Sequence, residues 1–488
     1  MDVQSSPVEQ PWRNWIFPAG VGLILLLAIA LRLKGIHDPI LDHPGWRQGD
    51  TAAIARNFAR LQFDVMHPQT LYNGAPPNYV ELELQIVPFL AATLYKLFGV
   101  HEIFGRLIAL AFSVATAGIV ALFARWLSNS PIAGITAGFF FAIFPGSIYY
   151  GRTFMPDAAM VFFLTAALYS VTRLLLEDDA MGPRALARST ALLAFAYLAK
   201  PVAVLGIVPV IGAIWERARL GKHTRISALA VLLLVPLVVL WSYDHRVASY
   251  AEWHWASGIT KLHVLPALRD SLTSVSRLGL KLGQFRLVLG MLRETMLGTV
   301  PFLLAIASFV ALPWIPVRGR LVLWGWLAGG LAYVYVVVTV ERVDYYMAPL
   351  LPLCAIAIGC AAAFFAGRVA TVDAAPAARY AILAILPIVA VFSLIEARAA
   401  IAPYYRYNKD AYRNAVFLNK TLDPGALVVI GHYGPDVQYY IDRFGWEEDP
   451  ALWTPLDEES AIRKGARYFI SIEDNRLRAN TELCAWLA

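Results

Sequence analysis

Long apolar segments recur along this chain and constrain its fold more than any other feature. A helix needs about 20 apolar residues to cross a bilayer, and about eleven segments approach that length. They lie near residues 15–33, 104–126, 131–150, 157–175, 187–200, 202–215, 226–242, 297–315, 321–340, 345–366 and 379–397. The pattern predicts an α-helical polytopic membrane protein.

The composition agrees with a membrane protein and excludes other classes. Hydrophobic residues make up 58% of the 488 residues and charged residues only 16%, against about 25% in a soluble domain. The net charge of +6 does not require a nucleic acid, because lysine and arginine collect in the loops of membrane proteins. No basic helix or zinc-ligand spacing is present, so we predict no nucleic-acid partner.

Lysine and arginine in the short loops predict the orientation, because they favour the cytoplasmic side. Those that share one side are Arg125, Arg173, Arg184, Arg188, Arg217, Arg219, Lys222, Arg225, Arg318, Arg320 and Arg368. Arg32 and Lys34 fall on the other side and are exceptions. The loops 34–103 and 243–296 are then external. The run 15–33 is expected to stay as a first helix, since no small-residue cleavage site follows it.

The last ninety or so residues differ in character from the rest. Residues 426–430 and 468–472 are typical of strands, and residues 435–441 of a short helix. We therefore predict a transmembrane domain over 1–397 and a small external α/β domain over 398–488.

The first external loop is unusually long and rich in acids, histidines and aromatic residues. Within it, Asp50 precedes a pattern in which Ile54, Phe58 and Leu61 share one face, as in a helix that lies on a bilayer. Asp50 also suits the N-cap of that helix. Trp46 suits either a sugar face or the lipid headgroup layer. The segment 86–98 is too short to span, so we place it at the surface, which puts Asp50 and Asp157 on the same side.

Two charged residues lie at the external ends of predicted spans. Asp157 follows Pro156, and this pair matches the start of a helix. Lys200 interrupts an apolar hairpin, where a lysine is costly unless it reaches the interface or meets an anion. Both a structural and a functional interpretation remain open for each residue.

Further polar residues stand near these ends. Glu83 is either a solvated loop residue, a partner of Lys200 or Arg152, or a metal ligand. Arg342 and Tyr346 lie in a polar corner between two spans, where they suit headgroup contact or an anchoring role. Histidines occur in the loops without a spacing typical of metal sites. A divalent metal is therefore left open, and no other cofactor is predicted.

The first half of the chain contains the runs 46–58, 80–83, 95–102, 105–107 and 149–157. Together they resemble bacterial polyprenyl-phosphate-sugar glycosyltransferases of the GT-C superfamily, relatives of the protein O-mannosyltransferases and of the lipid A aminoarabinose transferase. The resemblance covers roughly 30–215 and continues weakly through 346–349. Thr51 follows Asp50 where the mannosyltransferases carry a second acid, and Gln85 stands where many relatives have an aromatic residue.

The resemblance implies a sugar donor on a polyprenyl phosphate and catalysis at the external face. It makes Asp50 the base, Asp157 the second acid and Lys200 the contact to the lipid phosphate. This chemistry is coherent in itself: an acceptor hydroxyl must lose a proton, and the departing phosphate needs a cation. Arg152 or Arg342 is expected to assist Lys200. Direct displacement would invert the anomeric centre.

The preferred hypothesis is thus an inverting glycosyltransferase in a bacterial inner membrane, with a lipid, glycan or protein as acceptor. A lipid or glycan transporter is the alternative. It would predict charges at mid-membrane and an inverted repeat, and the sequence shows neither. A third hypothesis is a scaffold whose tail binds envelope partners, for which the external acids would be dispensable.

Overall fold

The computed structural model describes residues 13–177, 182–371 and 376–488 and is mainly helical. Eight helices of the described residues are long and apolar enough to cross a membrane. They span Trp15–Arg32, Ile103–Ser128, Asp157–Leu176, Pro201–Arg219, Ile226–Ala248, Arg320–Glu341, Leu350–Val369 and Pro387–Tyr405. A ninth span results if Val275–Leu297 and Thr299–Ala311, which meet at 111°, count as one. The predicted polytopic helical class is confirmed.

The predicted spans 131–150, 187–200 and 297–315 do not each form one helix long enough to cross a membrane, and a proline or glycine interrupts or ends each. The segment 131–150 divides at Pro145 into Pro131–Ile143 and Pro145–Tyr150, because proline cannot continue the hydrogen-bond ladder. The helix Pro183–Ala199 ends before Pro201. At Gly298, a φ of +85° turns the chain between the two bent helices, a conformation that glycine adopts at no steric cost.

The core of the bundle is formed by helices that approach closely through small residues. A Cβ on Gly359 would lie 2.4 Å from the Ala133 carbonyl oxygen, and one on Gly134 would lie 2.6 Å from that of Ala121. Such contacts are typical of membrane helices, whose association depends on tight packing. Pro131–Ile143 is thereby held between Ile103–Ser128 and Leu350–Thr371.

The two large loops that were predicted to be external add short elements to one end of the bundle. We call Gly45–Arg60 the loop-one helix. It packs on Ile86–Phe98, where Phe58 and Phe89 meet edge to face. The two-residue strand Val80–Glu81 pairs in parallel with Trp253–His254 and so joins the two large loops. Beyond it lie the helices Trp255–Gly258, Leu265–Thr273 and Val275–Met291.

The C-terminal residues form the predicted small α/β domain, here called the tail. Its sheet is parallel, with Leu427–Gly431 between Gly445–Glu448 and Ala466–Ser471. The bounds of Leu427–Gly431 and Ala466–Ser471 were predicted to within two residues. Gly445–Glu448 was missed because it carries few strand-forming residues. The tail helices are Lys409–Thr421, Pro435–Ile441, Pro455–Arg463, Asp474–Ala479 and Thr481–Leu487.

The loop-one helix differs from the prediction in two respects. It begins at Gly45 with Pro44 at its N-cap, so Asp50 lies inside the helix and the N-cap interpretation is wrong. It is also buried throughout from residue 47 to residue 58 instead of lying on a bilayer. The tail helix Pro435–Ile441 covers it so closely that a Cβ on Gly49 would lie 2.6 Å from the Asp436 Cα.

Candidate active site

A buried ion pair joins two of the predicted site residues. Asp157 opens the helix Asp157–Leu176 after Pro156, as predicted. Lys200 follows the end of Pro183–Ala199 with extended backbone angles. Its Nζ lies 2.7 Å from the Asp157 Oδ1, and both side chains are more than nine-tenths buried. Lys200 therefore meets an anion inside the protein and does not snorkel to the interface.

Two tyrosines from the corner between spans complete the surroundings of this pair. The Lys200 Nζ lies 4.4 Å from the ring centre of Tyr346 and 5.1 Å from that of Tyr345. Aromatic faces attract cations at this range. The corner that was predicted to anchor the protein at the interface thus contacts the Lys200–Asp157 pair directly.

Asp344 fixes the corner in place, and sequence reasoning did not single it out. Its carboxylate accepts hydrogen bonds from the hydroxyls of Tyr150 at 2.5 Å, Tyr404 at 2.6 Å and Thr295 at 3.0 Å. Burial opposes its ionisation, but these bonds and His43 lower the pKa of Asp344. The sequence signal that could have identified Asp344 is an acid directly before two tyrosines at the boundary of a span.

Asp50 lies in a different electrostatic environment from Asp157. Burial raises the pKa of Asp50 to about 6, although Arg47 and a hydrogen bond from Tyr72 lower it. The nearest guanidinium nitrogen of Arg47 is 4.0 Å from its Oδ2. Its other oxygen, Oδ1, is buried and has no hydrogen-bond partner among the described residues. This carboxylate is therefore placed to accept a proton near neutral pH.

Arg47 connects Asp50 to the rest of the site. It donates a short hydrogen bond to Glu83, so the structure pairs Glu83 with Arg47 and with neither Lys200 nor Arg152. The charges of Arg47 and Asp157 both act on Tyr345 and Tyr346. Asp157 and Arg47, the neighbour of Asp50, therefore both lie near these two tyrosines, which puts the two predicted catalytic acids at the same end of the bundle.

Residues of the tail cover Asp50. Glu447 at the end of a tail strand accepts a hydrogen bond from the Gly434 backbone. Burial, followed by the charge of Asp50, raises the pKa of Glu447 to about 8. Tyr72, which hydrogen-bonds Asp50, forms a backbone bridge to Gly445 of the same strand. The environment of Asp50 is therefore built jointly by the first loop and the tail.

The remaining predicted site residues are more dispersed. Arg152 is fully buried and pairs with Asp42, which also binds Arg106. Its observed contacts are structural, and a phosphate contact stays a prediction. Arg342 is exposed and has a left-handed φ of 52°. Trp46 is 41% exposed, beside Gly434 of the tail. Within the described residues, no group of three or more histidines, cysteines or acids is placed to hold a metal.

The structure is a bundle of membrane helices that buries acids and a lysine at one end, and a small α/β domain covers that end. Comparison with known proteins identifies the class of proteins that has this fold. A family model for dolichyl-phosphate-mannose-protein mannosyltransferases matches residues 85–243. The structure is similar to that of ArnT from Cupriavidus metallidurans bound to undecaprenyl phosphate. The TM-score is 0.63 at 14% identity, over 97% of this chain and 95% of ArnT.

A second similar structure is the archaeal oligosaccharyltransferase AglB from Archaeoglobus fulgidus, in complex with an inhibitory peptide and a dolichol-phosphate. The TM-score is 0.61 at 12% identity, over 97% of this chain and 71% of AglB. None of the curated protein sequences compared with the chain matches it. The chain has the fold of the GT-C superfamily, which confirms the resemblance inferred from its sequence.

Proposed function

We propose that this protein is an inverting glycosyltransferase that moves a sugar from a polyprenyl-phosphate donor to an acceptor hydroxyl at the external face of a bacterial inner membrane. The observation that carries the proposal is the contrast between two buried carboxylates at one end of the bundle. Asp157 is neutralised by Lys200 at 2.7 Å, whereas Asp50 keeps one oxygen without a partner among the described residues. The proposal assigns Asp50 as the base and Lys200 as the cation of one active site.

In the proposed reaction, Asp50 accepts the proton of the acceptor hydroxyl as its oxygen attacks the anomeric carbon. The bond from that carbon to the phosphate oxygen breaks on the opposite face, and the electron pair leaves with the phosphate. Lys200 neutralises the charge that develops there. Asp157 orients Lys200, and the configuration of the sugar is inverted.

Other residues are assigned binding roles within this proposal. Trp46 offers an exposed aromatic face for a sugar ring, and Tyr346 lies against the Lys200 cation. Arg342 is an exposed cation at the same corner and suits the phosphate. Glu83 positions Arg47. We place the transmembrane transferase domain at 1–397, with its last span continuing to Tyr405, and the external α/β domain at 398–488.

The ligands of the similar proteins support the donor class. ArnT is bound to undecaprenyl phosphate, and AglB is in complex with a dolichol-phosphate. The matching family is that of the dolichyl-phosphate-mannose-protein mannosyltransferases. A polyprenyl or dolichyl phosphate is common to all three, and a donor with so long an apolar chain suits a catalyst embedded in lipid.

The decisive experiment replaces the proposed base and keeps its shape. Asp50→Asn in purified protein, assayed with a polyprenyl-phosphate-linked sugar, should lower the transfer rate by about 10²–10⁴-fold, the contribution expected of a general base. Asp64→Asn is the matched control, since Asp64 lies in the same loop but bonds only to His67 and the local backbone. Transfer by Asp50→Asn at the rate of the control would refute the assignment.

A further inference from the structure

We propose that Arg32 is a positioning residue for Asp157 and acts through two serine hydroxyls and one water molecule bound between them. The inference rests on the proposed function, in which Asp157 orients Lys200. Arg32 ends the first span on the side predicted to be external, against the usual distribution of arginine. None of the roles assigned above accounts for it.

Arg32 is fully buried, yet each hydrogen bond that it donates to the described residues goes to a neutral oxygen. Its Nε lies 2.9 Å from the Ser113 Oγ, and its Nη2 lies 2.7 Å from the Ser147 Oγ. Its Nη1 donates to the carbonyls of Ala28 and Ala142. A buried charge without a compensating anion is costly, so a carboxylate is expected nearby.

A small cavity connects the two serines to Asp157. Its volume is about 20 Å³, and its lining includes Ser113, Thr116, Ser147 and Asp157. A single water needs at least about 10–15 Å³ and two to four polar partners. The Asp157 Oδ1 is bound to Lys200, whereas Oδ2 is buried with no hydrogen-bond partner among the described residues. The cavity therefore offers one water both enough space and an acceptor.

The direction of the hydrogen bonds determines what this chain does. Because each serine oxygen accepts from Arg32, its own hydrogen remains to be donated onward. A water that accepts from Ser113 or Ser147 donates in turn to the Asp157 Oδ2. All the donors then point from the guanidinium towards the carboxylate, and bonds aligned in this way polarise one another.

Asp157 is consequently held from two sides. Lys200 binds one oxygen directly, and Arg32 stabilises the other through the serines and the water. Among the described residues, Tyr333, Tyr345 and Tyr346 are further titratable groups on which the charge of Asp157 acts. We therefore expect the Asp157 carboxylate to keep one orientation while Lys200 neutralises the charge on the departing phosphate.

The first test compares two substitutions of Arg32 in the full-length protein. Arg32→Met should lower kcat by about 10–100-fold with little change in the KM for the donor, and Arg32→Lys should restore most of the rate. Arg217→Met is the control, since Arg217 is also buried and bonded to carbonyls, at the other end of the bundle. Folded Arg32→Met with wild-type kcat, or Arg32→Lys as slow as Arg32→Met, would overturn the proposal.

The second test does not require activity and therefore separates this inference from the proposed function. A high-resolution experimental structure should show density for one water between the Ser147 hydroxyl and the Asp157 Oδ2. In Ser147→Ala, that density should weaken, and the Asp157 carboxylate should adopt more than one orientation. An empty cavity in the wild-type protein would overturn the proposal, even if Asp50→Asn abolishes transfer.

Discussion

The two acids of the site differ in what holds them. Asp157 is set by helices of the bundle and has a lysine in direct contact at 2.7 Å. Asp50 is set by the first loop beneath the tail, and its nearest guanidinium, 4.0 Å away, also serves Glu83. A carboxylate with its own cation is suited to orient a neighbour, whereas one that shares a distant cation is suited to take up a proton.

The comparison also separates what each region contributes. The Asp157 region is built by the bundle and its corner, including Tyr404 at the end of the last span, so it should persist without the α/β domain that follows. The Asp50 region requires residues from both ends of the chain, because Gly445 and Glu447 border Tyr72 and Asp50. Substitutions in the two regions are therefore expected to differ in whether they affect stability, proton affinity or both.

The largest effect is expected from Lys200→Met. It leaves Asp157 buried without its partner, which should cost about 3–5 kcal/mol of stability and abolish transfer. Adding Asp157→Asn should recover most of the stability and none of the activity. Thermal unfolding in detergent and a transfer assay would measure both, with Lys409→Met, at an exposed site, as the control. If Lys200→Met unfolds at the same temperature as the wild-type protein, the Lys200–Asp157 pair contributes little to stability.

The next effect concerns the contact between the tail and the loop-one helix. Gly49→Ala introduces a Cβ at 2.6 Å from the Asp436 Cα, and overpacking of this kind costs about 1–3 kcal/mol. The tail should then become sensitive to protease, and transfer should fall. Gly22→Ala is the matched control, because its Cβ meets no atom within 4 Å. If both variants behave alike, the tail does not need to sit tightly on this helix.

A smaller effect is expected on the pH dependence of transfer. Since the pKa of Asp50 is about 6, the rate should fall as the pH drops through that value and the base becomes protonated. Arg47 lowers this pKa, so Arg47→Gln should move the acidic limb upward by about one unit. Arg60→Gln, on the same helix but bonded to Asp442, should leave it in place. If the acidic limb of the pH profile stays in place in Arg47→Gln, Arg47 does not influence the pKa of the base.

The smallest effect is expected at Glu447. Its pKa is raised to about 8 in the folded protein, so its protonated form favours folding, and this contribution is lost as the pH rises through 8. Glu447→Gln cannot ionise and should be the more stable protein at pH 8, by on the order of 1 kcal/mol. Thermal unfolding between pH 5 and 9 would measure this, with Glu459→Gln as the control, since about half of the Glu459 side chain is exposed. Parallel curves for all three proteins would contradict it.

The membrane helices and the start of the Asp157 helix were predictable because their signals are local. A run of apolar residues reports its own length, and the span predicted at 104–126 lies within Ile103–Ser128. Pro156 and Asp157 begin a helix through the fixed φ of proline and the partial charge of the helix N-terminus. Two of the three tail strands, Leu427–Gly431 and Ala466–Ser471, cluster apolar residues within a few positions. Such features need no knowledge of distant parts of the chain.

The environment of Asp50 was not predictable in this way. The loop-one helix has polar residues on several faces, which locally favours an exposed surface helix, but Arg56 binds the Tyr439 carbonyl 383 residues later. Lys200 was identified as costly without an anion, yet the sequence left open which anion it meets. Only the folded chain selects Asp157 for Lys200 and Arg47 for Glu83, because burial and charge pairing depend on distances in space between residues that are remote along the chain.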